Sequence, residues 1–204
     1  MIKAVIFDMD GVLIDTEPLH YRCWKEILKE HYDVEFDYDI YLPCIGSTRQ
    51  FFRDLVKEHY GVDFPDLDEM NRIMKVKKSQ IVKAEGFPEM PGVENALKQL
   101  KEMGYKLAVA SSSPESEIMD AMTRLGLMPY FDSITSGDHV EHPKPEPDTF
   151  LLAAERLNVP TDNCLVIEDS TNGGRAALAA KMDCVWLHNP HSGHQDIANA
   201  ILEI

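Results

Sequence analysis

The chain has 204 residues, 44% of them apolar and 27% charged, and a formal net charge of −15. That composition excludes a disordered chain or a collagen-like repeat, and the length suffices to bury a core without staples. So acidic a surface repels nucleic acid and anionic lipid, and an anionic substrate would need a local positive site or a recruited cation.

No segment approaches the roughly 18 consecutive apolar residues of a membrane span. The apolar start meets Asp8 too early to serve as a signal-peptide core. Cys23, Cys44, Cys164 and Cys184 show no C-x-x-C spacing. They read as reduced thiols packed as small hydrophobes in a cytoplasmic protein.

Residues 3–7 form a short apolar run ending in acid, the pattern of a buried strand. Helical periodicity then takes over. Leu19, Trp24, Ile27 and Leu28 share one helix face. Phe51, Phe52, Leu55, Val56, His59 and Tyr60 share another, and Met70, Ile73 and Met74 suggest a third. Lys75, Lys77, Lys78 and Lys83 read as the solvated face of that last helix. Gly86, Pro88, Pro91 and Gly92 break the run.

From there strands and helices alternate. Residues 106–110, 133–135, 165–167 and 184–187 read as strands. Val93, Ala96, Leu97 and Leu100, then Ile118, Met122 and Leu125, then Leu151, Leu152 and Leu157 read as helices between them. This predicts an α/β fold, a doubly wound parallel Rossmann-like sheet, with an all-helical domain inserted after the first strand. The expected bounds are 1–15 with 90–204 for the sheet domain and 16–89 for the insert, with hinges near Thr16–Glu17 and residues 86–91.

In open α/β sheets ligands bind outside the carboxyl ends of the strands, and four such ends carry chemistry here. The first is Asp8-Met9-Asp10-Gly11. Spacing of two puts both carboxylates on one side of an extended backbone, and a cation or a shared proton must relieve their repulsion. A solvated strand exit with two capping acids is the plainer alternative. The second is Glu168-Asp169-Ser170, another apolar strand ending in paired acids. The following Thr171-Asn172-Gly173-Gly174 could start the next helix. Two such pairs suit one hard cation with oxygen ligands, Mg²⁺ rather than zinc. The third is Ser111-Ser112-Ser113, where a hydroxyl and backbone N–H groups can bind an anion. The fourth is Lys144, set between Pro143 and Pro145, which fix its direction.

These four segments, in this order, resemble the four motifs of the haloacid dehalogenase superfamily. The subgroup it looks like carries a helical cap after the first strand and includes β-phosphoglucomutases and small-metabolite phosphatases. The resemblance implies Asp8 as nucleophile, Asp10 as general acid and base, and Ser111 with Ser112 and Lys144 as phosphate ligands. It implies Asp8, Glu168 and Asp169 as metal ligands, with Asp10 contributing its backbone carbonyl. The implied activity is Mg²⁺-dependent hydrolysis of a small phosphorylated metabolite, a sugar phosphate, through an aspartyl phosphate. Asp10 must then carry a proton at the start. The partners implied are that metabolite alone, with no nucleic acid and no membrane, for a monomer or weak oligomer.

Two alternatives share these residues. The first is a β-phosphoglucomutase-type mutase, whose cap positions Arg49, in Gly46-Ser47-Thr48-Arg49, and His20 with Trp24 match; the resemblance implies Arg49 and His20 as substrate-binding residues in either reading. Lys77 or Lys78 lies near a further cap lysine position. Against it, the mutases' Lys-Asn pair after the serine is replaced here by Pro114-Glu115, and Glu115 would repel a second phosphate. The plainer alternatives for the insert residues are an interface histidine, a core tryptophan and a helix-start arginine. A non-enzymatic phospho-acceptor module is the more distant alternative; the helical insert and the second aspartate argue against it.

Overall fold

The computed structural model describes residues 1–45, 47–64 and 66–204; Gly46 lies outside the described residues. The chain divides into two compact units: Met1–Asp15 with Phe87–Pro190 and His194–Ile204, and Thr16–Gly86 with His191–Gly193.

The first unit is built on a parallel sheet in the order β3-β2-β1-β4-β5-β6. The strands are β1 (Ala4–Phe7), β2 (Lys106–Ser111), β3 (Ser133–Ser136), β4 (Cys164–Glu168), β5 (Asp183–Trp186) and β6 (Leu202–Glu203). The run Ala-Val-Ile-Phe of β1 is buried throughout because it is covered on both faces. Ala4 and Ile6 pack with Phe150, Ala153, Leu157 and Ala177 on one side. Val5 and Phe7 pack with Leu97, Ile118 and Met122 on the other. Those side chains come from helices numbered here in chain order, α5 (Val93–Glu102), α6 (Glu115–Arg124), α7 (Asp148–Leu157) and α8 (Thr171–Ala179). The cap of α8 is Ser170, one residue before the expected segment; its hydroxyl accepts the Gly173 N–H.

β6 escapes the sequence reading because it has two exposed residues and no apolar alternation. The outgoing and returning chains lie side by side. The Asp15 N–H donates to Pro88 at 2.8 Å and the Met90 N–H to Leu13 at 3.1 Å.

The second unit contains α1 (Thr16–Tyr32), α2 (Tyr38–Tyr41), α3 (Arg49–Tyr60) and α4 (Leu67–Glu85). Leu19, Cys23, Trp24, Ile27 and Leu28 form the buried face of α1. Thr48 caps α3 by accepting the Phe51 N–H at 3.2 Å. The buried face of α3 is narrower than its periodicity suggests: Phe52 and Val56 are buried, while Phe51 and His59 are exposed. Aromatic stacking sets this rotation. The Phe52 ring lies 4.5 Å from Trp24 and 5.8 Å from Phe36.

The lysine group of α4 is not a uniformly solvated face. Lys77 is buried, and its ammonium lies 2.6 Å and 2.7 Å from the two oxygens of Glu30 and 3.6 Å from Glu26 on α1. Met70, Met74, Lys77 and Ile81 form one stripe, so Lys77 occupies a core position and reaches out to an acid. Its ammonium is engaged in these pairs within the second unit.

The four cysteines are free. Among the described residues, no helix is long and apolar enough to cross a membrane.

Candidate active site

The strand ends of the first unit bring the acids together because β1 and β4 are neighbours in register, Phe7 beside Ile167. Asp8 follows β1, its N–H donating to Ile167 at 3.0 Å. Glu168 ends β4 and Asp169 follows it. Ligand atoms of Asp8, Glu168 and Asp169 lie within 4.8 Å of one another, and all three residues are buried.

Two glycines make room for this cluster. Gly11 has φ +84°, and a Cβ there would collide with the Asp169 carboxylate. A Cβ on Gly173 would collide with the Glu168 carboxylate. Both positions exclude any side chain unless the acids move.

Lys144 supplies the counter-charge. Its side chain is 5% exposed. Nζ donates to Asp8 Oδ1 at 2.6 Å, to Glu168 Oε1 at 2.8 Å and to the Ala110 carbonyl at 2.8 Å. Glu168 is held from its other oxygen by the N–H groups of Asp169 and Ser170 and by the Ser170 hydroxyl, each at 2.9 Å. Burial disfavours the charge on Lys144, but Asp8 and Glu168 outweigh it and push its pKa up. For Asp8 the balance runs the other way. Burial raises its pKa well above the ordinary carboxylate value, and Glu168, Asp169 and Asp10 add to this against the opposing pull of Lys144. A buried carboxylate held uphill among three others is a site short of positive charge. At an effective dielectric near 20, one like-charge pair at about 4 Å costs roughly 4 kcal/mol.

Asp10 is half-buried, and Ser111 brings a hydroxyl toward it from the end of β2. Ser111 Oγ lies 3.5 Å from Asp10 Oδ2, while Ser113 Oγ donates to the same oxygen at 2.8 Å. Ser112 lies between them in sequence and is solvent-exposed. The closer hydroxyl at Asp10 is thus that of Ser113, which the sequence reading did not select.

The second unit has a cavity of its own, about 460 Å³, lined by Glu17, His20, Trp24, Tyr41, Thr48 and Arg49 among others. The Arg49 guanidinium stacks 5.7 Å from the Trp24 ring centroid. The Tyr41 hydroxyl donates to Glu17 at 2.7 Å, and His20 Nδ1 lies 3.8 Å from the other Glu17 oxygen. Burial and the Glu17 carboxylate push the Tyr41 phenol far above its usual range, so it remains a donor. Trp24 is both core and cavity wall. Glu17 and Tyr41 were not candidates from sequence; one turn of helix at α2 brings them together.

A parallel sheet with paired acids, a buried lysine and hydroxyls at its carboxyl edge defines a hydrolase fold of known kind. Residues 5–187 match the family described as haloacid dehalogenase-like hydrolase, and the chain belongs to that family. It is 35% identical over 195 residues to a phosphorylated carbohydrates phosphatase of Thermotoga maritima, covering 94% of this chain and 88% of that protein. It is 35% identical over 184 residues to a fructose-1-phosphate phosphatase of Escherichia coli, covering 89% and 94%. Among solved structures it is similar to a candidate β-phosphoglucomutase from Thermotoga maritima, with a TM-score of 0.84 and 32% identity, covering 100% of this chain and 94% of that one.

Proposed function

We propose that the chain is a Mg²⁺-dependent phosphoric monoester hydrolase that acts on a small sugar phosphate through an aspartyl phosphate on Asp8. One observation carries this reading: three buried carboxylates, Asp8, Glu168 and Asp169, converge beside a single lysine. Three acids against one ammonium fit a hard divalent cation with oxygen ligands and do not fit a second anion. Asp8, Glu168 and Asp169 would hold the ion by their carboxylates and Asp10 by its main-chain carbonyl. When bound, Mg²⁺ neutralises charge on the transferring phosphoryl oxygens.

The protein's own groups divide the rest. Asp8 attacks phosphorus, which splits one difficult displacement into two easier ones. Asp10 protonates the leaving oxygen, then takes a proton from the attacking water. Lys144 binds a phosphoryl oxygen and keeps Asp8 oriented. Ser111 offers a hydroxyl to the phosphoryl group, with Ser112 beside it. Arg49 and His20 contact the part of the substrate that does not react.

Glu115 favours hydrolysis over a mutase. It opens α6 after Pro114, two residues beyond Ser113, with its carboxylate 3.2 Å from His139 Nε2. A second phosphate there would meet a like charge. The identified phosphatase relatives support a sugar phosphate as substrate.

The test is a panel of phosphorylated metabolites with Mg²⁺, including β-glucose 1-phosphate. Steady release of phosphate is expected from one or more sugar phosphates. Conversion of β-glucose 1-phosphate to glucose 6-phosphate without net phosphate release would replace hydrolysis by the mutase reading. A single labelling event without turnover would replace both.

A further inference from the structure

We propose that Ser136 and Ser113 are positioning residues that aim the carboxyl group of Asp10 for proton exchange. This rests on the acid and base role given to Asp10 above. Ser136 ends β3, fully buried, and register sets it beside Ser111 on β2. Its hydroxyl donates to the Ser113 carbonyl at 2.7 Å. Ser113 in turn donates its hydroxyl to Asp10 Oδ2 at 2.8 Å, and its N–H to Ser111 Oγ at 3.0 Å. Ser113 therefore holds Oδ2, while Ser111 Oγ, 3.5 Å away, stays available to the phosphoryl group. Among the described residues, the side-chain bonds of Asp10 go to Oδ2, which would leave Oδ1 for exchange with the leaving group and with water.

Ser136 is itself braced. Its N–H donates to His139 Nδ1 at 3.1 Å, and its Oγ accepts the Asp138 N–H at 3.0 Å, a reciprocal cap over one turn. With Nδ1 accepting that N–H, the neutral ring carries its hydrogen on Nε2, 3.2 Å from Glu115. The Asp138 carboxylate accepts the Glu115 N–H at 3.4 Å. The turn after β3 thus grips the serine segment at Ser113 and again at the start of α6. A buried hydroxyl with a single geometry is a rigid support of this kind.

The proton traffic is balanced as follows. As the Asp8–phosphorus bond forms, the proton on Asp10 Oδ1 passes to the leaving oxygen and the ester bond breaks. As water attacks, its proton passes to the same Oδ1 and the Asp8–phosphorus bond breaks. A sugar alkoxide needs that first proton; p-nitrophenolate, a far weaker base, leaves without it.

The test uses Ser113→Ala, Ser136→Ala and the double variant with Mg²⁺ present. The readouts are kcat and KM on the best sugar phosphate of the panel, and first-turnover release of p-nitrophenolate by rapid mixing. Each single variant should lower kcat on the sugar phosphate by roughly ten- to a hundredfold, with KM within about twofold. First release of p-nitrophenolate should fall by less than about threefold. The double variant should be no worse than the more damaging single one, because both changes cut the same chain of bonds. Equal losses on both substrates, additive losses, or no loss would overturn the inference. Ser113 is only half-buried, so Ser113→Ala keeps the comparison available if Ser136→Ala fails to fold. No turnover of either substrate by the wild type would overturn the phosphatase reading, and this inference with it.

Discussion

Lys144 Nζ sits 2.6 Å from Asp8 Oδ1, an ion pair in which both side chains are at least nine-tenths buried. The lysine also reaches Glu168, so one cation is shared between the ends of two adjacent strands. Removing it leaves the buried carboxylates of Asp8 and Glu168 without their counter-charge. Lys144→Met should therefore abolish turnover and destabilise the metal-free protein by about 3–5 kcal/mol, the scale for breaking a buried pair. Urea unfolding in EDTA measures the loss. An unchanged midpoint would mean the acids are relieved in some other way.

Asp8→Asn separates chemistry from stability. The amide keeps the shape of the carboxylate and is a far poorer nucleophile, so turnover should fall below a tenth of the wild type. Stability should move in the opposite direction. The folded-state pKa of Asp8 is raised, chiefly by burial. Above that pKa the folded protein carries a charge that is easier to hold unfolded, and the penalty fades as pH falls toward the ordinary carboxylate value. In EDTA, Asp8→Asn should then unfold later than the wild type at neutral pH, with the gap closing in acid. Paired urea titrations at several pH values check the sign. A gap that widens in acid would show that Asp8 is stabilised as the anion.

Most of this candidate site is legible in the sequence because each of its segments couples an apolar run, which fixes a strand, to a polar exit, which the sheet edge collects. Asp8, Glu168 and Asp169 come together for that reason alone. Ser113 was missed although the spacing rule applied to Asp8 and Asp10 also links Ser111 with Ser113. Lys77 was legible too: it lies on the stripe of Met70, Met74 and Ile81, where a solvated lysine is out of place. Glu17 and Tyr41 were not legible. Their bond joins two helices, one of them a single turn, and no periodicity marks a helix so short.

On the proposed reading, Asp8, Asp10, Glu168 and Asp169 set four acids against Lys144, and a bound metal would be the main neutralising agent. EDTA should eliminate activity, Mg²⁺ should restore it, and Ca²⁺ should inhibit, since it takes more ligands at longer bonds. Melting supplies a readout apart from activity. At a hundredfold excess over Kd, Mg²⁺ should add about 2.7 kcal/mol, or roughly 5–10 °C in Tm for a chain of this length. Asp169→Asn should shrink that shift. Full activity in EDTA, or no thermal shift, would contradict the charge argument.

Lys77 offers a test of the second unit alone. Its stem fills a core position and its ammonium meets Glu30. Lys77→Ala removes both and should cost about 1–3 kcal/mol, whereas Lys77→Met keeps the stem and should cost less than about 1 kcal/mol. Chemical unfolding of both variants gives the comparison. Equal costs would place the stabilisation in the ion pair rather than in the packed stem.

Arg49 tests whether the second unit selects the substrate. Its guanidinium stacks on Trp24 in the cavity that also holds Glu17 and His20. Binding energy from the unreactive part of a substrate can be used to assemble the site, and a small generic substrate lacks that part. Arg49→Ala should cut kcat/KM for the best sugar phosphate by roughly ten- to a hundredfold, the effect of one charge-assisted contact at about 1.5–3 kcal/mol. The loss on p-nitrophenyl phosphate should be much smaller. The stacking on Trp24 adds about 0.5–1 kcal/mol of stability at an exposed site, so a small drop in Tm is expected and is not the signal. Equal losses on both substrates would give Arg49 a supporting role in the fold. No loss on either would return it to a solvated residue at the start of α3, and selectivity would then have to be sought at Glu17 and Tyr41.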